Sequence, residues 1–121
     1  MSEVIKMKKK GNEIQLQSLK IPGGWEMVIN KFLDVDVTEY DADDLIWIDF
    51  TQDILYIKRN TTKKEERFGL DLGWYPDNDP EGEFCLNVIK DDDFINPIET
   101  FLSRNKDEIV KKIEEYLVEL K

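Results

Sequence analysis

The sequence predicts an α+β fold, with residues 1–121 as a single domain. An antiparallel, meander-rich sheet of about six or seven strands should carry one C-terminal helix packed on a face. Three observations predict it. Phe68, Leu70, Leu72 and Trp74 alternate on one face of one run, Phe84, Leu86 and Val88 do the same on the return, and the turn-forming run Pro76-Asp-Asn-Asp-Pro-Glu-Gly82 lies between them. That is a long-looped hairpin. Shorter apolar runs separated by turn residues precede it. Ile109, Ile113, Tyr116, Leu117 and Leu120, with Val110 beside them, recur at the spacing of a single helical stripe.

Residues 1–12 read as a short edge strand or a loose arm, closed by a turn at Gly11-Asn12. Lys6, Lys8, Lys9 and Lys10 would suit an exposed sheet edge, where like charges discourage pairing with another sheet. Glu13 to Leu19 alternates, with Ile14 and Leu16 opposite Glu13, Gln15 and Gln17, and predicts a half-buried strand. Ile21-Pro-Gly-Gly24 breaks it. Trp25 to Phe32 is apolar on both parities, which predicts a strand inside the sheet, with Trp25 closing one end of the core. Leu45 to Phe50 and Ile54 to Arg59 are compact apolar runs joined by Thr51-Gln52-Asp53, and predict a second hairpin. Asn60 to Lys64 is the next turn. Phe94 to Leu102 contains Pro97 and reads as a loop plus a short edge strand. Asn105 is placed to cap the last helix, with Glu108 three residues on and Asp107 beside it favouring the positive helix start.

The chain is 40% apolar, with six Phe, four Tyr and three Trp, which is enough to build a core and argues against disorder. No apolar run approaches the ~18 residues of a membrane span. The N-terminal lysines are followed by no apolar stretch, so no signal peptide is expected. The lone Cys85 forms no internal disulfide, and a cytoplasmic location is expected. The net charge of −10 argues against direct binding to nucleic acid and favours a basic partner with steered association. Acidity can also serve solubility alone.

The charge is not evenly spread. Between Phe32 and Ile57 there is no Lys or Arg, while Asp34, Asp36, Glu39, Asp41, Asp43, Asp44, Asp49 and Asp53 all occur there. The interval 58–67 is basic, through Lys58, Arg59, Lys63, Lys64 and Arg67 against Glu65 and Glu66. The hairpin tip is acidic again, through Asp77, Asp79, Glu81 and Glu83. A charge run is commonly just a solvated loop. A cationic partner would relieve the mutual repulsion of these carboxylates.

Catalytic chemistry is restricted. The absence of histidine removes the Ser-His-Asp and Cys-His constellations and most zinc sites. Ser2, Ser18 and Ser103 lie in no nucleophile motif. Cys85 alternates with core residues and has no neighbouring cation in sequence, so a structural role is expected. Asp77-Asn-Asp-Pro-Glu-Gly82 imitates the first half of an EF-hand loop, but Val88 stands where the bidentate glutamate belongs and the flanks read as strands. No cofactor and no metal site are expected. Carboxylate catalysis stays open as a minor alternative, with little to single out any acid pair.

The stretches LDLGWYPDNDPEGEFCLNVI and FLSRNKDEIVKKIEEYL, within residues 68–120, resemble the C-terminal half of small acidic immunity proteins of bacterial contact-dependent inhibition and related polymorphic toxin systems. The resemblance lies in general pattern: small, acidic, β-rich, ending in one helix. It implies a cytoplasmic antitoxin that binds and blocks one cognate toxin domain, often a nuclease. A generic protein-binding or adaptor domain is the alternative. Candidate partner-binding residues are Asp34, Asp36, Glu39, Tyr40, Asp41, Asp43 and Asp44 on one side, and Trp74, Tyr75, Asp77, Asp79 and Glu81 on the other. The aromatic residues would anchor and the carboxylates would steer.

Overall fold

A computed structural model describes residues 8–9, 12–63 and 67–120. Two-residue strands β1 (Lys8–Lys9) and β2 (Asn12–Glu13) pair with each other. Of the expected N-terminal arm, Lys6, Lys10 and the turn residue Gly11 lie outside the described residues, as do Lys64, Glu65 and Glu66 of the basic interval. The main sheet has five antiparallel strands in simple meander order: β3 (Trp25–Asn30), β4 (Leu55–Arg59), β5 (Phe68–Tyr75), β6 (Glu83–Lys90) and β7 (Glu99–Ser103). Helix α1 (Lys106–Glu119) follows. The α+β class, the antiparallel meander and the C-terminal helix are as the sequence predicts. The sheet has five strands where six or seven were expected.

The shortfall comes from two runs that pair differently. Leu45–Asp49 is a 3-10 helix, not a strand. Its apolar residues divide as a turn requires: Ile46, Trp47 and Phe50 are buried, while Leu45 and Ile48 are exposed. A strand would have put Ile46 and Trp47 on opposite faces. The Glu13–Leu19 run makes only a bridge from Leu16 to Leu33 beyond β2, and Leu16 is exposed. The Trp25–Phe32 run is an edge strand rather than an interior one. A bulge between Met27 and Ile29 shifts its register, which explains apolar residues on both parities.

The β5–β6 hairpin is the centre of the sheet, with Leu70 opposite Val88, Leu72 opposite Leu86 and Trp74 opposite Phe84. These six side chains face the core with Leu55 and Ile57, all at most 1% exposed. Helix α1 covers the same face through Ile109, Ile113, Tyr116 and Leu117. Asn105 caps it by accepting from the Glu108 N–H at 3.0 Å. Glu108 does not return the bond to Asn105, as a capping box would, and instead accepts from Ser103 Oγ at 2.6 Å. The helix C-terminus is tied down too: Trp25 Nε1 donates to the Leu117 carbonyl at 3.1 Å, and Arg59 Nη1 to that of Leu120 at 3.3 Å. Trp25 thus closes the core end, as expected, rather than facing a groove after Gly23-Gly24.

Two substitutions test this packing. Leu70→Ala in the central strand should cost about 2–5 kcal/mol, seen as a lower urea midpoint with an unchanged slope. Gly73→Ala should cost about 1–3 kcal/mol by overpacking, because a Cβ there would collide with the Gln52 carbonyl oxygen. A midpoint unchanged by either would contradict the packing described.

Candidate functional site

The acidic segment after β3 is not a loose solvated loop. Phe32, Val35, Val37, Ile46, Trp47 and Phe50 are all buried and pin it to the core. Several of its acidic residues then serve as local fasteners. Asp36 caps a first 3-10 turn (Val37–Glu39), accepting from the Thr38 N–H at 3.0 Å and Thr38 Oγ1 at 2.7 Å. Asp44 caps the second turn at the Ile46 N–H, 3.0 Å away. The Asp41 carbonyl accepts from Trp47 Nε1 at 2.8 Å. The bonds of Asp36 and Asp44 are the side-chain bonds that draw Asp and Asn to cap positions, while that of Asp41 is made by its backbone. Tyr40 is half-buried against the core, and its hydroxyl pKa is raised by burial and then by Asp44 and Glu39.

The chain turns so that the start of this segment faces the start of α1. Asp34, Asp36, Thr38 and Glu39 line one wall of an open cleft of about 590 Å³, and Arg104, Asn105, Lys106 and Asp107 line the other. Lys106 Nζ reaches Asp34 at 2.6 Å, Asp107 at 3.2 Å and Gln17 Oε1 at 2.8 Å. Burial alone would lower the Lys106 pKa, but the bonds to Asp34 and Asp107 outweigh it and the net shift is upward. Arg104 donates to the Gly82 and Pro80 carbonyls and lies over the Trp74 ring, 5.6 Å from its centroid. Both cations are therefore engaged by the protein's own acceptors, and the four carboxyl groups of the cleft give it an acidic balance.

Arg104 also joins this cleft to the hairpin tip. Asn78, in the left-handed region at φ 61°, donates its side-chain amide to the Trp47 and Ile48 carbonyls at 2.8 and 3.1 Å. The tip is thereby fastened to the second 3-10 turn. Asp79 accepts from the Glu81 N–H at 2.8 Å, and Asp77 from Gln52 Nε2 at 3.5 Å.

Placement of the expected residues is mixed. Asp34, Asp36 and Glu39 meet at the cleft, while Asp41, Asp43 and Asp44 lie along the adjoining segment. Asp77, Asp79 and Glu81 are on the tip. Trp74 requires correction: it is 0% exposed, packed against Phe50 and Phe84, with its indole N–H donated to the Asp79 carbonyl. It is a core residue that no partner can reach. Tyr75 is exposed, but as the next residue of the strand it faces away from Trp74. Sequence reasoning missed Arg104 and Lys106 as cleft residues. Two cations flanking a helix cap in so acidic a chain were the available sign.

It also missed Asp71. This residue lies on β5 opposite Tyr56 and Asn87, on the sheet face that α1 does not cover. Burial first, and Asp53 second, raise its carboxyl pKa to about 6. The sign was the sequence Gly69-Leu-Asp-Leu-Gly73: a carboxylate between two glycines on a strand whose other parity is wholly apolar. Cys85 shares this face. Its thiol is pushed up by burial, then by Asp71 and Glu83, against a lowering bond to Asn87, so it is not an activated thiolate. Among the described residues, no group of three or more His, Cys, Asp or Glu side chains is arranged to hold a metal ion. None of their helices is long and apolar enough to cross a membrane.

No family model, curated protein or solved structure matches this chain.

The raised Asp71 pKa makes a signed prediction. The native state holds this proton more tightly than the unfolded chain, so stability should fall as pH rises from about 4 through about 6. Asp53, Tyr56, Tyr75 and Cys85 face the carboxyl, and none of them supplies a positive charge. Asp71→Asn should therefore stabilise the protein by about 1–2 kcal/mol at pH 7.5, after discounting for partial exposure, and by little at pH 4. Urea unfolding at the two pH values checks this. An equal effect at both would mean the carboxyl is not held in its neutral form by the fold.

Proposed function

We propose that this protein is an immunity protein, which binds a bacterial toxin domain in the cytoplasm and blocks its activity. The observation that carries this reading is the acidic cleft at the start of α1, joined through Arg104 to the acidic hairpin tip. Its carboxylates stand on segments fixed by caps and by a buried aromatic core, so the surface is preformed. Preorganised binding avoids the cost of ordering loops on association. A toxin that cleaves nucleic acid must attract phosphate and therefore presents Lys and Arg around its active site. An acidic surface of this kind would steer such a partner in, then pair with those cations. The pattern resemblance over residues 68–120 agrees with the same reading.

In this reading Glu39, Asp107, Asp77 and Glu81 form the contact surface, with Asp41 and Asp43 extending it. Trp74 takes no part, and hydrophobic anchoring falls to exposed groups such as Leu45 and Ile48, at 59% and 65% exposure on the outer side of the second 3-10 turn. Affinity capture from the native host, at moderate and then high salt, identifies the partner. The expected result is one stoichiometric basic polypeptide whose enzymatic activity this protein suppresses. A partner bound without inhibition would favour an adaptor role. For the identified partner, the double reversals Glu39→Lys/Asp107→Lys and Asp77→Lys/Glu81→Lys should each weaken binding at least about 10-fold, chiefly by slowing association. Unchanged association rates in both would place the interface elsewhere on the molecule.

A further inference from the structure

The five-stranded sheet has a second face, and α1 does not cover it. The strand register lays three lateral rows across this face. The middle row is polar: Tyr56 on β4, Asp71 on β5, Asn87 on β6 and Thr100 on β7. On one side Gly69 stands between Lys58 on β4 and the buried Ile89 on β6, and on the other Leu102 stands opposite Cys85, which itself faces Gly73. The carboxylate row is thus bordered by apolar side chains on β6 and β7, and Lys58 stands at the β4 end of one bordering row.

Asp71 sits in a notch. Its same-face neighbours along β5, Gly69 and Gly73, have no side chains. The Tyr56 ring leans over the first, so that a Cβ there would lie 2.8 Å from Cε1, and the Gln52 backbone lies over the second. Phe94 meets the Tyr56 ring at a tilt, with centroids 5.2 Å apart. Within the row, Asn87 Oδ1 is taken by Thr100 Oγ1 at 2.6 Å. The Asp71 carboxyl makes no hydrogen bond or ion pair among the described residues. Around the notch, Tyr75, Phe94, Ile98 and Leu102 are 40–53% exposed. An unpaired carboxylate in a half-dry setting raises the energy of the ionised protein, and a cation set against it would remove that cost.

We propose that this helix-free face docks an extended segment of a partner protein that carries an Arg or Lys side chain with apolar residues two positions before and after it, the cation pairing with Asp71. Charge complementarity selects this occupant. The apolar neighbours of the segment would lie against Leu102 on one side and Ile98 and Phe94 on the other. A second copy of this chain is the wrong partner, because a two-fold pairing through the notch would set the two Asp71 carboxylates together on molecules of net charge −10. Arg is favoured over Lys because its flat guanidinium can bond both carboxylate oxygens at once. The proposal rests neither on the cleft at the start of α1 nor on the partner being a toxin.

The test is an NMR titration of the full chain at pH 7.5 with a capped heptapeptide that carries arginine at its centre and leucine two residues away on either side, so that all three side chains share one face of the extended segment. A second peptide with neutral citrulline at that position is the control. The arginine peptide should shift the amides of Asp71, Asn87 and Thr100 and bind at least about 10-fold more tightly than the citrulline peptide. In Asp71→Asn that preference should vanish while the rest of the spectrum stays in place, which separates loss of binding from loss of fold. Equal binding of the two peptides would overturn the proposal. So would a preference that survives in Asp71→Asn, shifts confined to the cleft at the start of α1, or the absence of any shift on the sheet.

Discussion

The molecule depends on the burial of Trp74. Its ring meets Phe50 and Phe84 edge-on, with centroids 4.8 and 4.9 Å away, and Trp47 lies 5.7 Å off at a tilt. Such pairs add directional preference to the large apolar area they bury. Trp47 and Phe50 belong to the acidic segment, Trp74 and Phe84 to the central hairpin. One cluster therefore holds together two stretches whose carboxylates repel. The indole N–H groups are satisfied by backbone carbonyls, that of Asp41 for Trp47 and that of Asp79 for Trp74. Each tryptophan thus fixes the path of an acidic loop as well as filling the core.

This arrangement explains what could be read from the sequence. The central hairpin and the last helix were legible because their apolar residues recur at the periods of a strand and a helix, and because Asn105 stands where a cap is needed. Leu45 to Phe50 was misleading for the same reason in reverse. Six residues of mixed apolar and acidic type fit a short strand by composition, and only the capping bond of Asp44 and the burial of Ile46 and Trp47 side by side distinguish a turn. Alternation in Glu13 to Leu19 described faces without supplying a neighbouring strand. Apolar residues on both parities of β3 came from a bulge between Met27 and Ile29, not from an interior position, and a bulge leaves no mark in a binary pattern.

The candidate surface was legible as charge, not as geometry. A run of carboxylates announces itself, but the sequence does not say that Asp36 and Asp44 serve as caps while Asp41 and Asp43 display their side chains outward. Nor does it bring Arg104 and Lys106 to a cleft, since the partners of Lys106 at Asp34 and Gln17 are 72 and 89 residues away along the chain. Trp74 looked like an anchor because it adjoins the turn residues of the tip. Its parity with Leu70 and Leu72 was the better guide to its burial. Asp71 was hidden by the opposite effect, a single acid among many, set apart only by its glycine neighbours.

The division among the carboxylates has a consequence for how such a surface can change. Asp36, Asp44 and Asp79 hold backbone N–H groups, so replacing them alters the scaffold. Asp41, Asp43 and Glu81 are exposed, and among the described residues no side-chain acceptor bond ties them to the frame. Architecture and display are thus assigned to different members of one residue type. A lineage, or a designer, can rewrite the displayed set to follow a changing partner while the caps and the tryptophans keep the frame, so recognition can drift without refolding the protein.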